Sequence, residues 1–141
     1  MIYAERTQVP VEKTKTEIEH TLTKYGADRF AYFTEKGSAM IVFEAHDRRL
    51  RFKIPLPPGN TARELKAQRQ KWRALLLCIK AKLESVAAKI ETFEEAFLAH
   101  VVMPDGQTVG DITGPGILQA YKEGHMVPLI PPPSKKTEKD R

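Results

Sequence analysis

The chain reads as a single α+β domain, and three observations predict it. Residues 61–90 carry apolar side chains at helical spacing, residues 29–55 form three short runs of aromatic and β-branched residues, and those runs are separated by connections too short for anything but neighbouring antiparallel strands. At 141 residues the chain is long enough for one core and too short for two full-sized ones.

Residues 1–9 read as an extended amino-terminal arm or a short edge strand, since Ile2, Tyr3 and Val9 are isolated among polar residues. Pro10 stands where a helix begins, and Val11, Ile18, Leu22 and Tyr25 then share one face, with Gly26 placed just past the carboxyl end. A first helix is therefore expected over 11–25. Beyond Asp28 the period changes to two: 29–34 (RFAYFT), 39–45 (AMIVFEA) and 48–55 (RRLRFKIP) make a three-stranded meander. In the third strand Leu50, Phe52 and Ile54 alternate with Arg49, Arg51 and Lys53, so one face is core and the other carries three cations in a row.

Leu56-Pro57-Pro58-Gly59 forms a boundary, and Asn60 or Thr61 can cap the long helix that follows. Leu65, Trp72, Leu76, Ile79, Leu83, Val86 and Ile90 lie on its buried side. Lys66, Arg69, Arg73 and Lys80 follow one flank, and Lys71, Lys82 and Lys89 the other. Thr92 and Glu95 have the spacing of a capping box, which predicts a bend or restart there that turns Phe93, Phe97 and Leu98 to the core. Residues 101–109 read as a small hairpin around Pro104-Asp105-Gly106. Thr113-Gly114-Pro115-Gly116 is expected to break the chain before a short helix with Ile117, Leu118 and Tyr121 on one face. The domain is thus placed at 10–127, and 128–141 is a proline-rich, then charged, flexible tail.

The net charge of +5 tilts the choice of partner toward polyanions, nucleic acid above all. Arg48, Arg49, Arg51, Lys53, Lys66, Arg69, Lys71, Arg73 and Lys80 can form one basic surface, from which Arg49, Arg51, Lys53, Lys66, Arg69 and Arg73 are selected as the nucleic-acid-binding residues. The bland reading of the same residues is a solvated sheet face and helix edge. Among the aromatics, only Tyr32 or Phe33 is a candidate for stacking from the outer face. The helix-meander-helix order is also that of double-stranded-RNA-binding domains, with Arg63, Lys66 and Arg69 at the start of the last helix, but their compact lysine cluster is lacking.

Catalytic patterns are absent: no Walker loop, no Gly-x-Gly-x-x-Gly and no Ser-His-Asp grouping occurs, so a non-enzymatic protein without cofactor is expected. His20, His46, His100 and His125 lie too far apart for a metal site. His46 reads as a turn residue and His100 as a helix-end cap paired with Glu94 or Glu95. Cys78 is the one cysteine, and beside Leu77 and Ile79 it is expected inside or at a helix contact. With no disulfide, no signal-peptide pattern and no apolar run near the roughly 18 residues of a membrane span, a soluble protein of the bacterial cytoplasm is expected.

Two segments, VEKTKTEIEHTLTKYGADRFAYFTEKGSAMIVFEAHDRRLRFKIPLP and QRQKWRALLLCIKAKLESV with ETFEEAFLAHVVMPDGQTVGD, resemble a family of small proteins encoded by tailed bacteriophages and prophages, whose members mostly lack an assigned function. Trp72-Arg73-Ala74-Leu75 and the later Phe93-Glu94-Glu95-x-Phe97-Leu98-Ala99-His100 carry the resemblance, which covers most of residues 10–111. It implies a phage accessory protein in the host cell, and two partner classes: DNA or RNA held on the basic surface, or a host defence complex inhibited by protein contact in the manner of an anti-CRISPR. The long helix could also meet a dimer mate.

Overall fold

The computed structural model describes residues 9–132, so the arm up to residue 8 and the tail beyond residue 132 lie outside it. The order is α1 (Val11–Thr23), β1 (Asp28–Glu35), β2 (Ser38–Ala45), β3 (Arg48–Pro55), α2 (Ala62–Ala87), α3 (Phe93–Phe97), a 3-10 turn (Leu98–His100) and α4 (Val109–Glu123). The fold is α+β, with one antiparallel sheet in the order β1-β2-β3.

Strands β2 and β3 alternate as the sequence predicts, and β1 does so from Phe30 to Phe33. Ala39, Ile41, Phe43, Ala45, Leu50 and Phe52 point inward with Phe30 and Tyr32, and meet Ile18 and Leu22 of α1 and Trp72, Leu75, Leu76, Ile79 and Leu83 of α2. An aromatic chain runs through this core: Phe30 stacks on Phe43, Phe43 on Phe52, and Phe52 meets the edge of Phe97. Among the described residues α1 and α2 pack on this one side of the sheet, and the other side is reached only at Arg51 of β3, by Gly106 and by Asp111 at the start of α4.

The α2 stripe differs from expectation at its ends. Leu65 is exposed, and Ile90 falls beyond the helix and projects into solvent, while Leu75 takes a core position. The helix stops because Lys89 adopts the left-handed conformation, with Lys89 N–H donating to Val86 O and Ile90 N–H to Ser85 O, a Schellman closure that removes Ile90 from the helical register. The chain restarts at Thr92 with the capping box intact: Glu95 N–H donates to Thr92 Oγ1, and Thr92 N–H to Glu95 Oε1. Cys78 is exposed rather than packed, because it lies on the solvent side of α2 between the inward residues Leu76 and Ile79 and the next turn.

The expected break at Gly114-Pro115 is overturned. Helix α4 starts at Val109, capped by Thr108 and Asp111, and continues through Pro115. Proline normally forces a side chain at the preceding residue out of helical geometry, but that residue is Gly114, which has no Cβ to clash. The hairpin before α4 is minimal, a single bridge between Val102 and Thr108. Val101 bridges to Leu50, and Val102 N–H donates to Arg49 O at 2.8 Å, so this segment covers part of the free edge of β3.

Candidate nucleic-acid interface

The open face of the sheet is laid out in four rows by the strand register. Ala31, Val42 and Arg51 form one and Phe33, Met40 and Lys53 the next; Asp28, Glu44 and Arg49 close one end, and Glu35, Ser38 and Pro55 the other. Cations therefore line β3, apolar side chains fill the middle, and an aromatic ring stands on the edge strand β1. A shallow groove of about 500 Å³ runs over Ala31, Phe33, Met40 and Val42 toward Val102.

A bulge in β1 adds a fourth cation. Between the Asp28–Glu44 and Ala31–Val42 pairs, β1 has one residue more than β2, and Arg29 occupies the left-handed region at φ 55°. Phe30 is thereby kept inward against Phe43, while the Arg29 guanidinium reaches Glu44 at 3.5 Å on the open face. Arg49 meets the other oxygen of Glu44 at 3.3 Å, so one half-buried carboxylate holds two arginines apart and in place.

Arg51 is fixed more firmly. It donates to Gly106 O at 2.9 Å and to Asp111 Oδ2 at 3.3 Å. Asp111 is held below the usual carboxylate range, chiefly by the Thr108 N–H and hydroxyl of its capping box and further by Arg51. Arg51 thus ties the hairpin and the start of α4 to the sheet. Lys53 makes no ion pair among the described residues, and its ammonium is exposed.

The six cations selected from the sequence do not share one surface. Arg49, Arg51 and Lys53 lie together on the open face; Lys66, Arg69 and Arg73 ride on α2, in the helical layer across the sheet. Arg73 is committed to Glu17 of α1 at 2.9 Å, with its side chain only 13% exposed, and Arg69 is half-buried. What sequence reasoning missed is Arg29. A charged residue at the start of a strand gives no sign that a bulge will turn it onto the cationic face, although an arginine directly before an aromatic run of inward period was available as a hint.

Of the two candidate aromatics, Tyr32 faces inward, 6.0 Å from the Trp72 ring, and its hydroxyl donates to Glu19 at 3.0 Å. Burial, with the Glu19 contact behind it, pushes the Tyr32 phenol upward. Phe33 faces out and is 53% exposed.

His46 and His100 are held in structural contacts. His46 and Asp47 form the two-residue β2–β3 turn, both at positive φ, and His46 Nε2 donates to Tyr25 O while its ring packs 4.3 Å from Phe93. His100 does not cap a helix end. Its Nδ1 donates to Arg51 O at 3.3 Å and its ring stacks on Phe52 at 3.9 Å, because the turn at Leu98–His100 brings it back over β3 instead of along α3. Burial and then the nearby Lys82 ammonium push the His100 pKa down, against the pull of the Arg51 carbonyl.

Among the described residues no three His, Cys, Asp or Glu side chains are close enough to hold a metal ion, and no helix is long and apolar enough to cross a membrane. Comparison with protein-family models, with curated proteins and with solved structures finds no match to this chain.

Proposed function

We propose that this protein binds nucleic acid, without catalysing a reaction on it, through the uncovered face of its sheet. The observation that carries this reading is the row of Arg49, Arg51 and Lys53 on β3, joined by Arg29 across Glu44, on a face that among the described residues meets a helix only where Asp111 of α4 holds Arg51. Lysines and arginines at alternate positions of a strand are about 6.8 Å apart, a step that suits successive phosphates of one strand. The net charge of +5 draws a polyanion to the molecule.

The test is titration of labelled DNA and RNA across a salt series with the double variant R49E/K53E. Arg51 is left in place because it supports α4. Wild-type affinity should fall linearly on a log–log salt plot, and the variant should bind weakly with a flatter slope while keeping its circular dichroism and melting temperature. Equal binding by the variant sinks the assignment.

One observation favours a second reading, contact with a host protein complex. Leu118 and Tyr121 on α4, with Met126 and Ile130 after it, are largely exposed, Tyr121 by 87%. L118K/Y121K should leave nucleic-acid affinity unchanged and abolish capture of a host complex if that contact exists.

A further inference from the structure

The open face carries more than charge. Its cations stand along β3 and at the Arg29 corner of β1, the carboxylates Asp28, Glu44 and Glu35 lie toward its two ends, and its centre is apolar: Met40 and Val42, with Ala31 and Phe33 on β1. A duplex offers an outer surface of phosphates and sugars, and setting it on this sheet would press charged groups against Met40, Val42 and Phe33 without gain. A single strand presents both a charged backbone and unpaired base faces. Resting on the reading of this face as a phosphate surface, we propose that its ligand is single-stranded nucleic acid, with the backbone along Arg49, Arg51 and Lys53 and a base stacked on Phe33.

The register supports the placement. Phe33 and Lys53 are the ends of one row, with Met40 between them, so their backbones stand two strand spacings apart, about 9.6 Å. That span accommodates a phosphate at the lysine and its base over Met40 and Phe33. Among the described residues Phe33 has no ring partner, whereas Phe30, Phe43, Phe52, Phe93 and Phe97 all stack within the core. Its aromatic face is therefore free to receive a base. A second copy of the chain is the other occupant to consider for an open sheet face. Laid face to face it would take Arg29, Arg49, Arg51 and Lys53, with Asp28, Glu35 and Glu44, out of water in both copies, a desolvation cost that opposes it.

Fluorescence anisotropy separates the cases, using single-stranded DNA, single-stranded RNA and duplexes of about 15 nucleotides, the scale of a small single-strand site. The wild type should bind single strands more tightly than duplex. Phe33→Ala should weaken single-strand binding about 5- to 100-fold, the loss of one stacked base, with an unchanged salt slope, because no phosphate contact is removed. The substitution leaves the fold intact, since Phe33 is half-exposed and outside the core. Phe33→Trp should retain binding, and its indole emission should be quenched on adding oligonucleotide, a signal separable from that of buried Trp72 by subtracting the wild-type titration. If duplex binds as well as single strand and Phe33→Ala is silent while R49E/K53E abolishes binding, the single-strand inference falls and the phosphate surface stands. If no nucleic acid binds at low salt, both fall. Concentration-dependent self-association that Phe33→Ala removes would assign the face to a second copy and overturn the inference.

Discussion

Arg29 and Lys89 both hold a left-handed backbone that L-residues adopt at a cost of about 1–2 kcal/mol, and they do so for different ends. Lys89 only terminates α2, and it is exposed. Lys89→Gly should therefore raise the melting temperature by several degrees and leave nucleic-acid affinity unchanged. Arg29 carries a guanidinium onto the open face, so Arg29→Gly should also stabilise the fold, but weaken binding. Thermal unfolding and anisotropy on the two variants distinguish strain that shapes a helix end from strain tied to a surface; equal affinity in both would remove Arg29 from the site. His100 sets an acid limit. Its folded pKa lies below the ordinary 6.5, so the unfolded chain takes up the proton first as pH falls. The neutral ring's contribution is fully present above about 6.5 and is lost as pH drops below it toward the folded value. Melting temperatures measured from pH 7.5 to 5 should decline, and His100→Phe should flatten that segment of the curve.

Helix α4 shows how an element hides in its sequence. The meander was legible because aromatic and β-branched residues alternate across turns of two residues, and α2 because its stripe is long. Gly114, Pro115 and Gly116 instead read as punctuation, yet these two glycines, and Gly110 before them, each relieve a contact or a clash inside one helix. A Cβ on Gly110 would sit 3.1 Å from Ala99 O, and one on Gly116 would sit 3.0 Å from Leu129 Cα. The glycines are there for close approach of α4 to the 3-10 turn and to the chain after the helix. Spacing alone does not distinguish that use from a turn, since the neighbouring backbone is distant in sequence. Gly110→Val should lift α4 off Ala99 and cost about 1–3 kcal/mol in urea unfolding, with faster amide exchange confined to α4. Wild-type stability in this variant would show that α4 docks elsewhere.

For the molecule as a whole, the question is whether charge acts as a total or as a face. The period-two pattern of β3 already separated Arg49, Arg51 and Lys53 from the core; what it did not convey is that α2, with Lys66, Arg69 and Arg73, packs on the core side, so the sheet itself divides the six cations into two layers. Phe33 and Tyr32 were likewise undecided until Trp72 took Tyr32. Two single reversals resolve the matter. Lys53→Glu and Lys66→Glu each change the net charge from +5 to +3, because replacing one positive by one negative charge subtracts two. Both side chains are exposed and neither has an ion-pair partner among the described residues, so neither reversal breaks the fold. If attraction depends on total charge, the two variants lose affinity equally through slower association. If the open face binds the strand, Lys53→Glu removes a phosphate contact and adds a repulsion at the site, whereas Lys66→Glu acts only through the long-range field, which is largely screened at 0.15 M salt. The expected result is a tenfold or greater loss for Lys53→Glu, about 1.4 kcal/mol or more, beside a loss under threefold for Lys66→Glu at that ionic strength. Equal losses would return the binding to net charge and leave the sheet face without a role.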